Sequence, residues 1–281
     1  MRRAFRAVIL TCICMMLATA GCTDKKPAVT DSLEVDSLAD TLATDSVEEM
    51  FAEQPVPKAA DELFDDFFFT FIKSKKHQLE RIDFPLQVTQ GKKTTLMQRR
   101  EWRMDRFFMD QNYYTLIFDN RRQMSLPKDT SINNVVVEKI DLTSNSVRKY
   151  HFDRRNGEWR MTQLEKYAQY QQTNASFLHF YQKFATDTLY QMEHLSEEIA
   201  YMGPDPENEN EDMKGVISPD EWFYMGPGEL PSGILYNILY GQEYVQSGQK
   251  ILLLRGISNG QEMEMEFKRK DGEWMLTGIH L

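Results

Sequence analysis

Phe152-Asp153-Arg154-Arg155-Asn156-Gly157-Glu158-Trp159-Arg160-Met161-Thr162-Gln163-Leu164 returns 115 residues later as Phe267-Lys268-Arg269-Lys270-Asp271-Gly272-Glu273-Trp274-Met275-Leu276-Thr277-Gly278-Ile279. Each copy sets two residues that tolerate positive φ, Asn156-Gly157 and Asp271-Gly272, between half-apolar runs. That is the signature of a two-residue β-hairpin. A hairpin written twice points to an internal duplication, and a duplication fixes architecture before any other argument. It does not fix an activity.

The repeat extends upstream. Phe64, Phe67, Phe68 and Phe71 match Phe177, Phe180, Tyr181 and Phe184 at an offset of 113, as Gln78-Leu79-Glu80-Arg81-Ile82 matches Gln191-Met192-Glu193-His194-Leu195. Glu101-Trp102 matches Glu221-Trp222 at 120, so the second copy gains seven residues, placed in the polar stretch 204–211 and read as a loop. All four tryptophans fall into matched pairs.

Each copy opens with a helix. Phe64, Phe67, Phe68, Phe71 and Ile72 recur at i, i+3, i+4, i+7 and i+8 and share one apolar face. Asp61 is the expected N-cap, and Asn174 or Ser176 caps the second copy. A short second helix or turn runs through Leu79 and Ile82 and stops before Pro85. Strands are expected over 113–118, 135–140 and 147–152, and in the second copy over 234–240, 251–254, 263–267 and 274–279. Helices followed by an antiparallel meander make an α+β domain.

A phenylalanine-lined helix against a sheet whose last hairpin reads basic–Asn/Asp–Gly–Glu–Trp resembles the nuclear transport factor 2-like fold, a cone-shaped α+β domain. Residues 60–281 also resemble a family of Bacteroidetes lipoproteins of unknown function, through Gln78-Leu79-Glu80-Arg81-Ile82-Asp83-Phe84-Pro85-Leu86 and Trp102. The resemblance implies a location and a fold and no activity. Relatives of that fold pair through their sheets. The expectation is two tandem copies, 61–170 and 171–281, arranged as an intrachain pseudo-dimer in a monomer.

Residues 1–21 read as a lipoprotein signal peptide. Arg2, Arg3 and Arg6 precede an apolar run from Ala7 to Ala20, too short to span a bilayer. Leu17-Ala18-Thr19-Ala20-Gly21-Cys22 resembles a lipobox, with Thr19 where leucine is usual. The small residues before Cys22 favour lipid attachment there over an ordinary secretory signal. Cys12 and Cys14 leave with the signal, so the mature chain holds no disulfide, redox pair or thiolate metal site. Loss of the three arginines takes the net charge from −10 to −13. Such a chain has no general attraction for phosphate backbones, and nucleic-acid binding is not expected.

Residues 22–60 form an acidic tether, too poor in apolar residues to offset its ordering entropy. Its ~38 residues span roughly 35 Å and hold the folded part off the membrane. Asp-Ser/Thr-aliphatic triplets recur at Ser32, Ser37, Thr41 and Ser46. They resemble the acceptor motif for O-glycosylation in Bacteroidetes, and equally read as a low-complexity acidic stalk.

No Walker loop, GxSxG, HExxH or Gly-rich dinucleotide turn is present, and the five histidines show no ligand spacing. No cofactor, metal or catalytic residue is assigned. Enzymes of the resembled fold use an Asp, His or Tyr inside the cone. The residues to inspect are therefore Asp65, Asp66, Tyr113, Tyr114, His151, His179, Tyr181 and His280. Two Met-Gly-Pro segments, starting at Met202 and Met225, read as turns or a pocket rim. The expectation is a binding or scaffolding lipoprotein, anchored in the outer membrane and facing the periplasm. Its partner would be an envelope protein or a small apolar ligand. The alternatives are an enzyme working in one cone and a structural subunit of an envelope complex.

Overall fold

A computed structural model describes residues 63–168, 174–205, 208–242, 245–257 and 259–281, all within the compact unit Ala52–Leu281. The signal peptide, Cys22, the tether with Ser32, Ser37, Thr41 and Ser46, and the expected cap Asp61 lie outside the described residues.

The chain runs α1 (Phe64–Phe71), α2 (Lys75–Arg81), β1 (Ile82–Gln90), β2 (Lys93–Met97), β3 (Tyr113–Phe118), β4 (Asn134–Asp141), β5 (Ser146–Arg155) and β6 (Glu158–Tyr167). It then runs α3 (Ala175–Thr186), α4 (Thr188–Glu193), β7 (Leu195–Asp205), β8 (Asn208–Ile217), the single turn α5 (Trp222–Met225), β9 (Ile234–Leu239), β10 (Gln249–Gly256), β11 (Glu262–Lys270) and β12 (Glu273–His280). The phenylalanine spacing places Phe64, Phe67, Phe68 and Phe71 on the buried face of α1. Ser74 caps α2 by accepting the His77 N–H. Asn156-Gly157 and Asp271-Gly272 take the positive φ that their hairpins need, 51° and 83°, 54° and 93°.

Two six-stranded sheets result, ordered β2-β1-β6-β5-β4-β9 and β8-β7-β12-β11-β10-β3. The third strand of each series is therefore seated in the other sheet. β3 pairs antiparallel with β10, and β9 with β4. Where β3 and β9 pass one another, side chains bridge them. Thr115 Oγ1 donates to the Tyr236 carbonyl at 2.7 Å, and the Ile117 N–H donates to Asn237 Oδ1 at 2.7 Å.

The expected antiparallel meander is incomplete. Both sheets are mixed, because β1 lies parallel to β6 and β7 parallel to β12. The second helix does stop before Pro85, at Arg81, but the strand that follows does not wait for it. β1 starts directly after α2 and passes through Pro85, which sits where the register against β6 shifts between Ile82 and Gln87. A residue without an N–H is tolerated at such an irregularity. Residues 204–205 and 208–211, expected in a loop, lie in strands: β7 and β8 have 11 and 10 residues against 9 and 5 in β1 and β2.

Successive residues of a strand face opposite sides, and here the two sides belong to two cores. Leu116 and Phe118 enter the core around Phe64 and Phe152, whereas Ile117 enters the core around Phe177 and Phe267. On β10, Ile251 and Leu253 join the first core and Leu252 the second. Tyr236 and Ile238 of β9 join the first, and Leu235 the second. Each core thus draws on both halves of the chain.

Candidate binding surface

The space between each helix and its sheet is occupied by the protein's own rings. Phe64 lies 5.3 Å from Phe152 and 5.1 Å from Trp159, both edge-on. Phe177 repeats this at 5.3 Å from Phe267 and 5.4 Å from Trp274. Phe64, Phe68, Phe177 and Tyr181 are all buried. Such edge-to-face packing is attractive beyond the area it buries.

Of the residues singled out for inspection, Asp65 and Tyr114 come together, in one group with Tyr240 and Arg255, and Tyr113 lies near Tyr181. Asp66 and His179 are exposed. Tyr181 is fully buried, and burial pushes its phenol far up. Asp65 is half-buried and accepts the Tyr240 hydroxyl at 2.7 Å. Burial raises its carboxyl, against the lowering effects of the Tyr240 hydrogen bond and Arg255. Tyr114 is buried beside Arg255, whose Nη1 lies 3.4 Å from its hydroxyl. His151 Nε2 lies 3.4 Å from Glu165 Oε2.

His280 does fall in a cluster that the sequence did not reveal. Its ligating atom and those of Glu264 and Glu266 lie within 4.8 Å of one another. The register sets Glu264 opposite His280 on the neighbouring strand. The only sequence signal was two glutamates two apart on one face of a strand. Arg121 already sits between the carboxylates, 2.7 Å from Glu264 Oε1 and bonded to Glu266. The cluster is thus closed by a guanidinium. Burial raises the Glu264 carboxyl, and Arg121 opposes it.

Of the Met-Gly-Pro segments, the first is no turn but does line a pocket, and the second is a bend. The first lies inside β7, with Pro204 facing a groove. The second follows α5, where a Cβ on Gly226 would come within 2.7 Å of the Trp222 carbonyl.

That groove is an open concavity. It encloses about 690 Å³, with Tyr113, Pro204, Leu254, Met263 and Leu281 as its apolar part and Gln111, Asn112, Asn259, Gln261 and Glu262 as its polar part. The exchanged strand builds it. Tyr113 opens β3, the Ile257 N–H donates to the Asn112 carbonyl at 3.0 Å, and the Gly256 N–H to the Gln261 carbonyl at 2.9 Å. Tyr113 is half-buried there, which raises its phenol. Apolar surface with convergent carboxamides binds ligands by burial and orients them by hydrogen bonds.

The family model for a domain of unknown function, DUF4348, matches residues 43–280. The chain belongs to the DUF4348 family. No curated protein matches it. A crystal structure of an NTF2-like protein from Bacteroides fragilis NCTC 9343 is similar to it, at 34% identity and a TM-score of 0.72, covering 80% of this chain and 98% of that one. The DUF4348 chain therefore has an α+β fold of two mixed sheets, similar to an NTF2-like protein. Among its described residues no helix is long and apolar enough to cross a membrane.

Proposed function

We propose that this DUF4348 protein is a lipid-anchored binding module of the cell envelope. Cys22 carries the lipid, residues 22–60 form the tether, and the folded part faces the periplasm from the outer membrane. The two halves act as an intrachain pseudo-dimer within a monomer, and Ser32, Ser37, Thr41 and Ser46 carry glycans. The ligand seat is the groove beside Tyr113, Leu254 and Met263.

One observation carries the reading: both cones are filled by their own aromatic rings, while the groove is open and lined by apolar side chains together with carboxamides. A small apolar ligand or an apolar peptide segment fits that chemistry. The exposed neighbours Phe223 and Tyr224 on α5 favour a second reading, docking on an envelope protein.

Mass measurement of protein purified from its native host, under gentle and denaturing conditions, tests the binding reading. A small molecule released on denaturation and lost in Leu254→Glu supports the groove. A bare mass in the gentle state leaves the protein-docking reading. Membrane release and loss of lipid labelling in Cys22→Ser test the anchor separately.

A further inference from the structure

A second concavity shares no residue with the groove. It encloses about 170 Å³ at the start of α3 and is lined by Ser176, Ser247, Lys250, Arg269 and Trp274, among others. A neighbouring hollow of about 270 Å³, which holds Lys183, His179 and His194, shares Ser176 and Trp274 with it.

Four features of the smaller hollow favour negative charge. The 12-residue helix α3 has no side-chain cap, and its first intrahelical bond is the Leu178 N–H to the Asn174 carbonyl at 2.9 Å. Uncapped first-turn N–H groups and the helix dipole attract anions. Asn174 occupies the N-cap position, but its Oδ1 accepts from the Lys250 ammonium. Its Nδ2, on a residue only 1% exposed, has no acceptor among the described residues.

Ser176 is the third feature. Its Oγ accepts from the Arg269 guanidinium and from Trp274 Nε1, the latter at 3.3 Å. A serine oxygen has two lone pairs and one proton. With both lone pairs engaged, the hydroxyl can only donate. The fourth is charge. Lys250 and Arg269 line the hollow with two positive charges, and the Asp119 carboxylate bonds Lys250. This stands out in a chain of net charge −10.

The fold does not require these residues. In the first copy the matching positions hold Leu63 for Ser176 and Val135 for Lys250, while the tryptophan and arginine remain. Arg154, the counterpart of Arg269, donates instead to the Thr130 carbonyl at 3.0 Å. A lysine at 2% exposure bears a desolvation cost that the valine of the other copy avoids.

We propose that this hollow binds an oxyanion, the carboxylate or phosphoryl group of a small ligand. The helix N-terminus, Arg269 and the Ser176 hydroxyl receive it, and the rest of the ligand extends past Trp274 into the neighbouring hollow.

The test titrates the full-length mature protein with inorganic phosphate, sulfate and acetate at fixed ionic strength, followed by heat and tryptophan fluorescence. Saturable binding is expected. It weakens at least tenfold in Arg269→Gln and in Ser176→Ala, and stays unchanged in Arg154→Gln, with all variants melting cooperatively. Tighter binding of phosphate assigns a phosphoryl group, and tighter binding of acetate a carboxylate. Absence of saturable binding by all three anions overturns the proposal. So does an Arg154→Gln variant that weakens as much as Arg269→Gln.

Discussion

The Trp102 indole Nε1–H donates to Gln78 Oε1 at 3.0 Å in a fully buried contact. The same Gln78 donates to the Asp105 carbonyl at 2.7 Å and accepts the Asp105 N–H at 3.2 Å. The second copy repeats the pair: Trp222 Nε1 donates to Gln191 Oε1 at 2.9 Å. Gln78 is 0% exposed and Gln191 half-buried, so water can replace the second bond and not the first.

Gln78→Leu should therefore destabilise by about 3 kcal/mol, since the buried Trp102 Nε1–H and the part-buried Asp105 N–H and carbonyl lose their partner. Gln191→Leu should cost about 1 kcal/mol. A double-mutant cycle with Trp102→Phe should be sub-additive, because the second change removes one of the orphaned donors. Urea unfolding of the four proteins measures this. Equal costs at Gln78 and Gln191 would contradict the burial argument.

The seam between the exchanged strands rests on Asn237. Its Oδ1 accepts the Ile117 N–H, and its Nδ2 donates to Glu138 Oε2 at 2.9 Å. Glu138 is fully buried, with Lys149 Nζ at 3.3 Å from its other oxygen. Asn237→Leu strands a backbone donor and weakens the solvation of a buried carboxylate. A loss of about 3 kcal/mol is expected. Chemical denaturation with an unchanged m-value would confirm that the loss is one of stability and not of compactness.

Asp65 gives a pH signature. Burial raises its carboxyl in the folded protein above the unfolded value of 3.8. The folded state then holds the proton more tightly. The contribution of Asp65 to stability is greatest at and below the unfolded value and falls as pH climbs through the raised folded value. Asp65→Asn keeps an acceptor for the Tyr240 hydroxyl and removes the titration. The stability difference, wild type minus variant, should decline as pH rises above about 4 and then level off. Asp129 and Asp141 are lowered by hydrogen bonds to their own turns and slope the other way, so only the difference curve isolates Asp65. A flat difference from pH 3 to 7 would refute the assignment.

Local rules made much of this fold legible. The helical spacing of Phe64, Phe67, Phe68 and Phe71 and the turn chemistry of Asn156-Gly157 act within a few residues, so a sequence displays them. Partner choice does not act locally. Nothing in Tyr113-Tyr114-Thr115-Leu116-Ile117-Phe118 says that it pairs with β10 rather than β4, since both offer a similar aliphatic edge. The only hint lies in the pattern of β3, buried from Tyr114 to Phe118 with no polar face, as befits a strand between two cores. The same limit hid the groove and the Ser176–Arg269 hollow. Their residues come together only through strand exchange or across sequence gaps, and the Ser176 and Lys250 positions differ from their first-copy matches.

Strand exchange makes one further prediction. A chain cut within residues 169–173, between β6 and α3, would leave each fragment with a misassigned third strand. The first fragment would keep β3 but lose β9, and with it Tyr236 and Ile238 from the core around Phe64. The second would keep β9 but lose β3, and with it Ile117 from the core around Phe177. Each would expose an unpaired edge on β4 or β10. Fragments 53–170 and 171–281 should therefore lack cooperative melting when expressed alone. Refolded together, they should form a 1:1 complex with the circular dichroism and near-ultraviolet signature of the intact chain. If either fragment alone melted cooperatively and stayed monomeric, its own third strand would be closing its own sheet, and the exchange would be dispensable to the fold.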